Sequence, residues 1–352
     1  MIGYTLQYDS DTTKLNLLKG TYIFINLLDK INVKINTKIA QETITKLHGL
    51  GAKIIVDVND EALEKHNINL KTLNEIWKID YLRIDDTKNY KKVVPFLQKV
   101  GLAFNSSIVR KSDLELISNE MDLLKLNNSQ RQNILWMHNH YPKIGTGLST
   151  AYFLKQNELL KAFGGKRCSF ISGDQAISPE YNFLPTLEEE RYFNVYLAYL
   201  KHTLLYGMDI VFVGDKISSE FDQKAINSYI LNGVITIPLD EWLLSQKEFL
   251  NKVVHMRKDL GNNFLRIMEA KFYYLSHQEI IITPENNQKT EGKLGMLFLD
   301  NQESKQYTGD LSLVVKNIEM DKTSNFVGKV PINYRKILDF LIFDHEIIFK
   351  LI

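Results

Sequence analysis

The sequence predicts an α/β protein, a (β/α)₈ TIM barrel followed by a small β-rich domain. Eight short β-rich runs alternate with helical segments over the first about 230 residues, the size and order of such a barrel. The alternation stops after Ile230 and gives way to strands without regular crossover helices. A doubly wound open sheet is the competing architecture, but "QYDSDTT" after the first strand is not the Gly-rich turn that fold favours.

The runs are "GYTLQY" from Gly3, "YIFINLL" from Tyr22, "KIIVDV" from Lys53, "YLRIDD" from Tyr81, "LAFNSSI" from Leu102, "ILWMHNHY" from Ile134, "RCSFISG" from Arg167 and "DIVFVGD" from Asp209. Most read as buried on both faces, as parallel strands are. Between them, "TKIAQETITKLHGLG" has helical spacing and a glycine stop. "TLEEERYFNVYLAYLKHTLLYG" starts acidic, as a helix dipole prefers, and predicts the longest helix. This gives a barrel over residues 1–235 and a β-rich domain over 236–352. The latter holds "GVITIP", a helical "DEWLLSQKEFLNKVVHMRKDLG", then the strands "HQEIIITP", "GKLGMLFLDN", "GDLSLVVKNI" and "NFVGKVPI". The polar "PENNQKTEGK" reads as a loop.

Composition narrows the function. Across 352 residues, 43 Lys and Arg against 42 Asp and Glu leave a net charge of +1, so the basic footprint of nucleic-acid binding is missing. A single cysteine, Cys168, excludes internal disulfides and thiolate zinc sites and fits a reducing cytoplasm. No signal-peptide pattern and no long apolar run point to a membrane. Neither metal nor cofactor is expected, and a homo-oligomer is compatible with the sequence.

In a (β/α)₈ barrel, polar residues at the strand exits line the catalytic face. Here the exits carry Asp9, Asn26, Asp57, Asp85 and Asp86, Asn105, His138 with Asn139 and His140, Asp174 and Asp215. Asp and Asn also form turns and helix caps, so each has a bland reading of its own. The sixth exit, "HNHYPKIGTGLST", sets two histidines at i and i+2, on one side of a strand. It lacks the spacing of a recognised metal motif. "TGLST" opens the next helix, where glycines allow close backbone approach and free N–H groups can hold an anion; a plain Ser149 N-cap explains it equally. After strand seven, "FLPTLEEER" sets Glu188 and Arg191 at i, i+3 on one helix face.

Found together at this separation, "HNHYPKIGTGLS" and "LPTLEEER", with "VDV", "LRID" and "FNSS" at exits three to five, resemble a family of bacterial two-domain proteins. Its characterised members are cytoplasmic 6-phospho-N-acetylmuramidases, which split 6-phospho-N-acetylmuramyl-N-acetylglucosamine during cell-wall recycling. The resemblance implies a TIM barrel with a C-terminal cyclophilin-like β domain, which the tail "LFLDN…YTGDLSL…NFVGKV" is similar to. Residue by residue it reaches Asp57, Asp85, Asn105, His138, Asn139, Tyr141, Pro142, Thr146, Gly147, Ser149, Pro185, Thr186, Glu188 and Arg191. The chain departs from the family pattern at Gln7, Thr87, Ala103 and Glu190.

The resemblance and the exit chemistry together imply a phosphosugar glycosidase. Such hydrolysis needs one protonated and one ionised carboxyl beside the scissile bond. Glu188 is expected as the acid and Asp57 or Asp85 as the ionised partner. Arg191, Lys143 and the Ser149 helix start are expected on the 6-phosphate, with Asn105, His138, Asn139, His140, Tyr141, Thr146, Gly147 and Asp215 lining the substrate. The alternatives are a diverged enzyme for another phosphosugar and a non-catalytic sugar-phosphate-binding protein.

Overall fold

A computed structural model describes residues 1–11, 17–27, 35–59, 61, 63–64, 68–84, 90–177, 180–245, 247–259, 261–276, 290–341 and 345–352. Eight parallel strands close into a barrel: β1 Ile2–Leu6, β2 Tyr22–Asn26, β3 Lys53–Val58, β4 Tyr81–Ile84, β5 Gly101–Asn105, β6 Ile134–Met137, β7 Lys166–Ile171 and β8 Ile210–Val213. Ring closure is by β1 on β8, with Gly3 opposite Phe212. Each strand coincides with one of the eight runs read from the sequence.

Alternation along these strands separates two apolar layers. Tyr22, Phe24, Ile55, Tyr81, Ala103, Leu135, Met137, Cys168, Phe170, Ile210 and Phe212 cluster inside the barrel. The intervening positions, among them Ile23, Ile54, Val56, Leu82, Leu102 and Trp136, pack outward with helix residues such as Ile44 and Leu114. Two residues beyond the last inward apolar side chains, the same parity brings Asn26, Asp57, Arg83, Asn105 and Asn139. The interior thus changes from apolar to polar at the C-terminal ends of the strands.

Helices α1 Thr37–Gly49, α2 Lys111–Leu123, α3 Thr150–Lys161 and α4 Val195–Leu200 connect the strands. Asn36 caps α1 through Lys38 N and Ile39 N, Ser149 caps α3 through Tyr152 N, and Asn194 caps α4 through Leu197 N. The long helix expected from Thr186 is not continuous. Glu188–Glu190 form one 3₁₀ turn, and the helix proper begins only at Val195. The Asn194 side chain provides a new N-cap where the pattern suggested a helix interior, because Asn satisfies the backbone better at a cap than within a helix.

The chain divides into two compact units, Met1–Ser218 and Ser219–Ile352. The second begins with α5, Glu220–Asn232, capped by Ser219 and ended by Gly233 at φ 74°. It holds a five-stranded antiparallel sheet in the order Glu241–Trp242, Ser324–Lys329, Met296–Asp300, Leu311–Val314, Phe264–Ile267. A three-stranded sheet joins Val254–His255, Glu346–Leu351 and Ile235–Leu239. The helix expected over 240–261 is replaced by the two short strands at 241–242 and 254–255 with a 3₁₀ turn, Lys247–Asn251, between them. Buried Trp242, pairing with Gly328 and stacked 6.3 Å from Phe249, overrides the local helical pattern. The strand expected over "HQEIIITP" lies outside the described residues. Among the described residues no helix is long and apolar enough to cross a membrane.

By the sequence alternation α5 is the barrel's eighth helix, whereas contact density places it in the second unit. We propose 1–235 as the barrel domain. That fragment should then melt cooperatively and above a fragment ending at Ser218; equal thermal midpoints would assign α5 to the second unit.

Candidate active site

At the polar end of the barrel, Asp57 and Arg83 occupy directly opposed register positions on β3 and β4. Both are buried, and Arg83 Nη1 donates to Asp57 Oδ2 at 2.5 Å. Arg83 Nη2 donates to Asn139 Oδ1, and its guanidinium lies 5.7 Å from the ring centre of Phe24. The Asn139 backbone N–H donates to Ser107 Oγ at 2.9 Å, and the Ser107 N–H donates to Asn105 Oδ1 at 3.1 Å. Exits three to six are therefore linked by one polar chain. Its carboxylate is paired with a cation that shares its buried surroundings.

His140 leans over the same layer, its ring 5.0 Å from Phe170 and 6.1 Å from Phe24. Burial, reinforced by Arg83, lowers its pKa to about 3. It is a neutral imidazole at pH 7, able to accept or donate one hydrogen bond but not to carry charge.

A second constellation joins the loops after β6 and β7. Arg191 is 1% exposed. Its Nε and Nη2 donate to the two Glu188 oxygens at 2.9 and 2.6 Å, Nη1 to the carbonyls of Tyr141, Asn182 and Phe183, and Nη2 to that of Lys143. The other faces of the Glu188 carboxylate accept the N–H groups of Gly145 at 2.9 Å and Gly147 at 2.8 Å. A Cβ on Gly147 would lie 2.7 Å from the Glu188 backbone and carboxylate, so only glycine allows this approach. Backbone bonds complete the join: Tyr141 N to Pro185 O, Leu148 N to Thr186 O and Glu188 N to Leu148 O.

These contacts occupy two residues expected in the chemistry. The Arg191 hydrogen bonds, aided by the two glycine N–H groups against a burial penalty, lower the Glu188 pKa to about 2. A general acid must be protonated at working pH, and these contacts favour the ionised form of Glu188. Every nitrogen of the Arg191 guanidinium is already occupied within the protein, so it has no donor to offer a phosphate. Both residues brace the loops.

The remaining expected residues fall in different places. His138 belongs to the outward parity of β6 and is fully buried against Phe153, 4.7 Å away, between Ser107 Oγ and Asn157 Oδ1 at 3.3 Å each. Burial lowers its pKa to about 3. The two histidines do not share a side, because the strand ends at Met137 and the chain turns before His140. Asp215 is buried and accepts the backbone N–H groups of Gly173, Ile177 and Leu184, bracing the β7 exit; burial raises its pKa against those bonds. Thr146 Oγ1 closes a turn on Lys143 O at 2.6 Å, and Ser149 Oγ caps α3. Tyr141 is half-buried, while Lys143 is exposed on the braced loop. Asp85, with Thr87, lies outside the described residues. Among the described residues no three His, Cys, Asp or Glu side chains come together as a metal-ligand set.

Sequence reasoning missed Arg83. Its signal was present: an arginine two positions beyond the inward Tyr81, opposite the acid of the neighbouring strand. It also missed Phe183, a bulky residue at φ 61°, where the backbone is strained by about 1–3 kcal/mol. The Arg191 bonds to the Asn182 and Phe183 carbonyls hold it there.

A closed parallel barrel with a buried ion pair at its C-terminal mouth, joined to a separate sheet-rich unit, defines a two-domain TIM-barrel protein. Residues 10–228 match the model of the 6-phospho-N-acetylmuramidase N-terminal domain, and residues 236–350 match that of its C-terminal domain. The chain belongs to the 6-phospho-N-acetylmuramidase family. Its fold is also that of a conserved Enterococcus faecalis protein of unknown function, with a TM-score of 0.78 and 19% identity over 100% of this chain and 96% of that one. An uncharacterized B. cereus protein has a TM-score of 0.72 and 18% identity over 99% of each chain. No curated protein matches the chain.

The brace predicts a pH-dependent stability. The folded-state pKa of Glu188 lies below its ordinary 4.5, so its contribution is complete above pH 4.5 and is lost as the pH falls toward about 2. Glu188→Gln should therefore lower the melting temperature at pH 7, with the gap to wild type narrowing below pH 4.5. A gap that is constant or widens in acid would contradict the ionised brace.

Proposed function

We propose that the protein is a glycosidase for a 6-phosphorylated amino sugar, splitting 6-phospho-N-acetylmuramyl-N-acetylglucosamine in peptidoglycan recycling in the cytoplasm. The observation that carries this reading is the buried Asp57–Arg83 pair at the barrel mouth of a chain in this family. Asp57 is the ionised carboxylate that faces the developing oxocarbenium, and Asn139 and neutral His140 contact the sugar beside it. With Glu188 occupied as a brace, the protonated carboxyl is assigned to Asp85, two residues past Arg83 in the sequence. Lys143 and the α3 start at Ser149 remain as ligands for the 6-phosphate, while Arg191 acts only by holding their loop.

A sugar-phosphate-binding protein is the second reading. It is favoured by Ala103, which lies opposite Arg83 on β5 and brings no carboxyl to the mouth. Release of N-acetylglucosamine from the phosphorylated disaccharide separates the two.

Asp57→Asn should cut turnover by ~10² to 10³, the usual range for loss of one preorganised electrostatic stabiliser. Glu188→Gln should slow the phosphodisaccharide and a 6-phosphorylated nitrophenyl glycoside by equal factors. Selective rescue on the nitrophenyl substrate would restore Glu188 as the proton donor. The unphosphorylated disaccharide should be a poor substrate, since remote binding energy positions the reacting bond. Equal kcat/KM with and without phosphate would defeat the substrate assignment.

A further inference from the structure

The exit of β7 carries a feature the proposed chemistry does not use. Phe183 holds a left-handed backbone conformation that a large side chain adopts only when its surroundings impose it. Arg191 imposes it through the carbonyls of Asn182 and Phe183, and Asn182 N donates to Pro142 O at 3.3 Å, fixing the turn to the β6 loop. The turn leaves Phe183 half-buried and edge-to-face with Tyr192, ring centres 5.8 Å apart at 87°. Tyr192 is 70% exposed. An exposed tyrosine, steadied by a phenylalanine on a strained turn, is a costly arrangement for a surface loop with only a folding role.

Resting on the glycosidase reading above, we infer that Phe183 and Tyr192 form an aromatic platform for the neutral N-acetylglucosamine ring of the substrate. A pyranose presents a face of axial C–H bonds, which packs on an aromatic surface while its hydroxyls reach water or neighbouring polar groups. The nearest guanidinium, that of Arg191, is consumed internally and brings no cation to a phosphate at this turn. That selects the uncharged sugar over the phosphorylated one. Exposed Asn182, next to Phe183 in the chain, supplies hydrogen bonds to its hydroxyls. The leaving sugar is thereby held at the β7 exit, while Asp57 on β3 faces the other half of the substrate.

The test uses N-acetylglucosamine itself as the probe, by saturation-transfer NMR on the full-length protein. Transfer should be strongest to H1, H3 and H5, the axial protons of one face of the β-anomer, and should fall about tenfold in Tyr192→Ala. Phe183→Gly, which relaxes the strained turn, should bind as weakly while melting no lower than wild type. If Phe183 serves folding alone, Phe183→Gly melts lower and Tyr192→Ala binds normally, which overturns the platform. Uniform transfer to all ring protons in the wild type also overturns it. Asp57→Asn should bind the probe as the wild type does. A protein that releases no sugar from the phosphodisaccharide yet gives the facial pattern would lose the proposed reaction and keep the platform. Unchanged kcat/KM for the phosphodisaccharide in Tyr192→Ala, alongside normal turnover, would do the reverse.

Discussion

The mouth of this barrel depends on one buried guanidinium. Arg191 reaches four carbonyls on two loops and both oxygens of Glu188, and no other side chain could do so. A lysine has three donors around one point, whereas the planar fork of arginine spreads its donors over separate directions. Loop carbonyls buried at a barrel exit must find partners, and the loops after β6 and β7 are too irregular to satisfy one another entirely. Placing a cation among them meets that need, and Glu188 neutralises the charge while taking up the N–H groups of Gly145 and Gly147. Removing Glu188 leaves the Arg191 charge buried without its partner, whereas Glu188, 31% exposed, keeps access to water when Arg191 is removed.

The Asp57–Arg83 pair solves a different problem with the same chemistry. An inward position on a barrel strand is dry when the layer above it is filled, and a lone carboxylate there would lose its charge. Arg83 on the neighbouring strand supplies the partner charge, and the Phe24 ring beneath the guanidinium closes the floor. Glu188 and Asp57 are both paired with arginine, but only the second stands on the inward face of a strand.

Strand positions were legible because buried parallel strands are short apolar runs bounded by polar exits, a pattern with little competition. The inward parity could be read in the same way, and it would have found Arg83 from Tyr81. The mistakes lie where the chain leaves regular structure. His138 and His140 were placed on one side by a two-residue period that ends at Met137, and Glu188 was placed on a helix that starts only at Val195. The left-handed turn at Phe183 has no local signal at all, since neither glycine nor asparagine stands there. It follows from Arg191, eight residues later.

The two motif pieces that mark the family in the sequence are therefore mostly a description of the brace. Pro185, Thr186, Glu188 and Arg191 on one loop meet Tyr141, Gly147 and Leu148 on the other through backbone bonds and the Arg191 clasp. Such residues constrain loop geometry, and loop geometry is compatible with more than one substrate. Glu190, where the chain departs from the family pattern, extends the same logic outward. It is buried with His202, which it contacts at 2.7 Å, and His202 in turn meets Ser169 Oγ at 2.6 Å on β7. Burial would raise the Glu190 pKa, but His202 and Lys201 outweigh it and keep the net shift downward. A Ser–His–Glu chain of this geometry would suggest a nucleophile on the surface; here Ser169 is fully buried, and the chain ties strand to helix. Outside the brace stand His140 over the polar layer, Ala103 opposite Arg83 on β5, and the two aromatic rings at the β7 exit.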